Sequence, residues 1–127
     1  MALTVSDMGE VEFLTRVLTY EGSKLKLYTN NATINESATA GTFTECAVEG
    51  YAQKTLLATT WTFTTTATVT ASYAEQEFLL TTAVSCYGYL VTNSAGTTLL
   101  WAEAFPSVYT IPTGGGSIKV TLNISAG

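Results

Sequence analysis

The sequence predicts a mainly β protein: an antiparallel β-sandwich or jelly roll with one short N-terminal α-helix. Three observations carry this expectation. Threonine alternates with large apolar residues, most plainly in Thr60-Trp61-Thr62-Phe63-Thr64, and a period of two marks a strand with one buried and one wet face. The last stretch repeats the pattern, with Ile118, Val120, Leu122 and Ile124 set against Ser117, Lys119, Thr121, Asn123 and Ser125. Turn signals separate roughly seven to nine such short runs, which suits an antiparallel sandwich or barrel.

The elements follow in chain order. Residues 1–6 form a short N-terminal arm. A helix is expected over 7–20: Asp7 stands three before Glu10 in a capping-box-like start, and Met8, Val11, Leu14, Val17 and Leu18 recur at helical spacing. Glu10 and Glu12 near its start and Arg16 near its end match the helix dipole. It ends near Tyr20, before Gly22. The helix either closes one end of the β-structure or docks on a neighbour.

From residue 23 the period becomes two, with Leu25 and Leu27 between Lys24, Lys26 and Tyr28. Residues 30–50 lack periodicity and read as a long loop holding one short strand around Phe43. Tyr51 to Leu57 begins another strand. Val69, Ala71 and Tyr73 mark the next, and Gln76 to Thr82 a further one around Phe78 and Leu80. Ser85 to Thr92 and Thr97 to Glu103 form a hairpin about Asn93-Ser94-Ala95-Gly96. Both of its strands are apolar on both faces, so a helix or a second subunit is expected to cover it. Pro106 and Pro112 flank Ser107 to Ile111, read as a short edge segment or loop. Gly114-Gly115-Gly116 is a turn. With no linker, residues 1–127 read as one domain, with 23–127 as its β-structure.

Composition narrows the function. Charged residues are only 12% of the chain, and threonine is roughly one residue in five. Threonine keeps an outer face wet without charge, and a charge-poor surface suits contact with other protein. The net charge is −5, and the five basic residues, Arg16, Lys24, Lys26, Lys54 and Lys119, are scattered. Nucleic-acid binding needs a basic stripe, so no nucleic-acid partner is expected. No stretch is long and apolar enough for a membrane helix. Met1 to Asp7 carries no signal-peptide pattern, so synthesis in a cytoplasm is expected. The sequons at Asn31, Asn35 and Asn123 then carry no meaning.

The residue types for catalysis do not gather. There is no histidine, so no Ser-His or Cys-His pair exists. Glu75 with Glu77, and Glu45 with Glu49, are the candidate paired carboxylates, and nothing places either pair across a cleft. Cys46 and Cys86 read as small buried thiols, with a single bridge between them left open. Asp7 is the sole aspartate, which rules out a calcium loop of the usual type. No cofactor, metal or catalytic residue is expected, and the chain reads as no enzyme. Trp61, Trp101 and the seven tyrosines could form a sugar-stacking platform. Trp61 and Trp101 nevertheless fall at core positions.

Several stretches together resemble small structural proteins of tailed bacteriophages. They are Leu25-Lys26-Leu27-Tyr28-Thr29-Asn30-Asn31, Phe43-Thr44-Glu45, Gly50-Tyr51-Ala52-Gln53-Lys54-Thr55-Leu56, Trp61-Thr62, Tyr87-Gly88-Tyr89, Leu99-Leu100-Trp101-Ala102-Glu103 and Ile118-Lys119-Val120-Thr121. The resemblance implies a capsid decoration (cement) protein in the virion. It would bind the major capsid protein, bridge its subunits and form a homo-oligomer, a trimer above others. The alternative is a tail, baseplate or fibre component in host attachment, with glycan binding as one mode. Leu3, Val5, Tyr28, Tyr87, Tyr89 and Leu99 are the expected subunit or capsid contacts.

Overall fold

A computed structural model describes residues 22–57, 59–64 and 69–126, together with Arg16 and Leu18. The described chain is mainly β and forms two antiparallel sheets. Its strands are β1 (Ser23–Tyr28), β2 (Lys54–Leu56), β3 (Thr62–Thr64), β4 (Val69–Leu80), β5 (Val84–Asn93), β6 (Leu99–Ile111) and β7 (Gly116–Ala126). The first sheet has the order β2-β1-β5-β6 and the second β3-β4-β7. The helix expected over 7–20 falls outside the described residues except for Arg16 and Leu18, and it has no support. Leu18 is fully buried and Arg16 exposed.

Alternation decides which side chains are buried. Leu25 and Leu27 of β1, Tyr89 and Val91 of β5, Ala71, Tyr73, Phe78 and Leu80 of β4, and Ile118, Val120 and Leu122 of β7 share one apolar cluster. Both sheets therefore contribute to the same core, which removes apolar area from water. Threonine and serine fill the opposite face of the second sheet: Thr62 pairs with Ser72, and Ser72 with Asn123.

Two strands expected separately, around Tyr73 and around Phe78, are one strand. In β4, Tyr73 pairs with Leu122 and Gln76 with Val120, so Ala74 and Glu75 together oppose Thr121. The extra residue is a β-bulge. It shifts the inward phase from odd to even positions, which makes one strand look like two in the sequence. The short strand expected around Phe43 is also absent. A 3-10 turn, Ala40–Thr42, leads into Phe43, and only Glu45 bridges to Tyr28.

The hairpin forms as expected. Gly96, at φ 78°, supplies the left-handed turn residue, and Asn93 Oδ1 accepts from the amides of Thr97 and Thr98. Its outer face has a cover that the sequence pattern does not predict. No described helix lies on the outer face of β5. The 30–50 loop does: Phe43, with Ala32 and Ala38, packs on Tyr28, Leu90, Tyr87, Leu99 and Ala102. The Phe43 and Tyr28 ring centroids are 4.8 Å apart. Asn30 pins the loop, since its Nδ2 donates to the Thr42 carbonyl and its Oδ1 accepts from the Thr44 amide. An aperiodic segment can supply apolar cover as well as a helix can when a few side chains are anchored.

Candidate interaction surface

The chemistry-bearing side chains are dispersed and mostly structural. Among the described residues no three of His, Cys, Asp and Glu gather as metal ligands. Glu45 accepts from the Tyr51 hydroxyl at 2.7 Å and lies 4.0 Å from Lys26. The Glu49 carbonyl accepts from Thr81. Glu77 faces Lys119 at 4.0 Å, and Glu75 sits in the β4 bulge. Cys46 and Cys86 are buried and free. Burial, then the neighbouring Cys46 thiol, pushes the Cys86 thiol up to about 12, so it stays protonated and inert.

The expected contact residues are placed as follows. Leu3 and Val5 lie outside the described residues. Tyr28 is buried under Phe43, with its hydroxyl end against Gly88. Tyr89 is buried in the main core. Tyr87 and Leu99 are half-buried beside the loop. Tyr28 and Tyr89 are thus internal anchors rather than free contact surface. Trp61 is buried and meets Tyr73 and Trp101 edge to face, with centroids 5.0 and 6.3 Å apart. Two rings locked edge to face offer no flat platform for a sugar.

A different surface emerges along β6, the outer strand of the four-stranded sheet. Tyr89 and Glu103 stand opposite each other, and the Tyr89 hydroxyl donates to Glu103 Oε1 at 2.9 Å. Directly opposed residues share a face, so Glu103 points to the same side as the buried Tyr89 ring. Glu103 is nonetheless exposed, which means that the inner side of β6 is open to water. Trp101 and Phe105 follow at two-residue spacing on that side, both partly buried against the core. Phe105 lies 6.4 Å from Tyr89 and 4.9 Å from Tyr109, centroid to centroid.

The open side is therefore a shelf of Trp101, Glu103, Phe105 and Tyr109. Tyr109 is 45% exposed and Val108 beside it 43%, among the largest exposed apolar side chains. Burial and then the Glu103 carboxylate hold the Tyr89 phenol above its ordinary value. The Tyr89 hydroxyl thus ties the exposed Glu103 carboxylate to the core. Sequence reasoning missed Phe105, Val108 and Tyr109 because Pro106 made their segment resemble a loop. The signal was present: proline is tolerated where a strand's outer edge needs no donor. The stretch Phe105 to Val108 opposes Tyr87 alone, a wide irregularity that accommodates it.

Compared with known protein families, curated sequences and solved structures, the chain matches none.

Proposed function

We propose that this chain is a structural protein of a tailed-bacteriophage particle, a decoration protein that binds the head and bridges major capsid subunits. The observation that carries the reading is the solvent-open β6 margin. It presents half-buried aromatics and exposed Val108 and Tyr109 on a molecule with few charges. Such a mix of apolar centre and polar rim suits protein contact. The two sheets are read as a sandwich of jelly-roll type, a rigid carrier for that margin. The N-terminal arm, with Leu3 and Val5, is a second contact, adding to a neighbour's sheet edge. No chemistry is required. Repetition of one weak contact over a symmetric lattice multiplies its effect.

The experiment is location and copy number in intact particles. Copies in proportion to the major capsid protein, with density on the outer shell, support the reading. A small fixed ring of copies at the tail would replace it with the host-attachment reading. Sedimentation of the free protein tests the oligomer, with a trimer expected.

A further inference from the structure

We infer that the β6 shelf docks an extended polypeptide segment of its partner that carries an arginine or lysine side chain, with Glu103 as the residue that selects it. This deepens the assembly reading by naming the partner's chemistry. The argument starts from what docking would do to Glu103. Covering Trp101, Phe105 and Tyr109 removes apolar area from water, which favours association. The same cover takes the Glu103 carboxylate out of water. An uncompensated buried carboxylate is costly, so the occupant must supply a positive charge or strong donors beside it.

Among the described residues no ion pair supplies that charge to Glu103. The ion pairs among the described residues join Lys26 to Glu45 and Lys119 to Glu77, and Glu103 takes part in neither. Its Oε1 accepts from Tyr89, which orients the group and leaves Oε2 for an incoming donor. The surrounding aromatic rings favour a cation as well. A guanidinium or ammonium satisfies both at once. The wider charge balance agrees, since a chain of net charge −5 is drawn to a basic partner. An extended backbone fits because β6 is an edge strand.

The test uses the full chain and a short extended peptide of alternating valine and threonine around a central arginine. Amide chemical shifts are followed during titration. Saturable shifts confined to β5 and β6 are expected. Replacing the arginine by citrulline, which keeps the shape but not the charge, should weaken binding by roughly three- to tenfold. Glu103→Gln should weaken the arginine peptide by a similar factor and leave the citrulline peptide unchanged. The variant keeps an acceptor for Tyr89, and an unchanged melting temperature confirms that it folds. Equal binding of the two peptides overturns the inference, as does absence of shifts on β6. So does a neutral oligosaccharide that shifts these amides when the peptide does not. Copy number in particles is a separate measurement, so failure here is distinguishable from failure of the assembly reading.

Discussion

At the residue scale, Gly88 shows how tightly the two apolar faces of β5 are occupied. A Cβ there would collide with the Glu103 carbonyl and with the Tyr28 ring. The backbone carbonyl cannot swing aside, and Tyr28 is fixed beneath Phe43. Gly88→Ala is expected to cost about 1–3 kcal/mol, read as a lower urea midpoint. A wild-type midpoint would show that the hairpin shifts freely. The buried acids make a second prediction. Cys86 is raised from 9.0 to about 12, and Tyr28, Tyr51 and Tyr89 are raised above 10.0. Burial is the first cause in each case, with Glu45 adding to it at Tyr51 and Glu103 at Tyr89. A raised folded value means that the native state holds its proton longer than the unfolded chain. Stability is therefore fully present below about pH 9 and falls as pH climbs through the folded values. Urea midpoints should be level from about pH 7 to 8 and decline from about pH 9 upward. Cys86→Ala should flatten the first part of that decline. A midpoint that rises with pH would contradict the assignment of these groups as buried acids.

At the scale of elements, the 30–50 loop acts as the cover for the outer face of β1 and β5. Phe43 is its chief apolar anchor, and Asn30 its polar one. Phe43→Ala should destabilise the protein by about 3 kcal/mol and expose Tyr28 and Leu90. Binding of a dye that reports apolar surface would reveal the uncovered face before global unfolding. If the variant binds no more dye than the wild type, the loop is not the cover. This element also marks where the sequence was legible. Strands with a steady period, β1 and β7, could be read directly, because one buried face imposes alternation. The turn at Gly96 was readable because its geometry demands particular residues. What escaped were features set by pairing across the sheet. The β4 bulge reverses the burial phase, and its cause is a count of residues on β7. The cover over β5 comes from residues distant in sequence with no period of their own. The β6 shelf lay hidden for a related reason. Glu103 looks like an ordinary surface acid until its opposite, Tyr89, is seen to be core.

At the scale of the whole molecule, cohesion comes from apolar packing and main-chain pairing rather than from charge. The ion pairs among the described residues are both 4.0 Å long, and Lys119 and Glu77 are largely exposed. Exposed pairs of this kind contribute about 0–1 kcal/mol each and are screened by salt. Raising sodium chloride to about 1 M should therefore change the unfolding free energy by less than about 1 kcal/mol. Partner binding should behave differently. If Glu103 meets a cation on the β6 shelf, added salt screens the approach and weakens the complex, while apolar contact along Trp101, Phe105 and Tyr109 persists. Titrating occupancy against salt separates the two contributions. A partial loss that levels off is expected for wild type, and a nearly flat response for Glu103→Gln. Complete release at moderate salt would mean that charge, not the apolar margin, holds the partner. That result would move the docking surface away from β6, toward the lysines of β1 and β2.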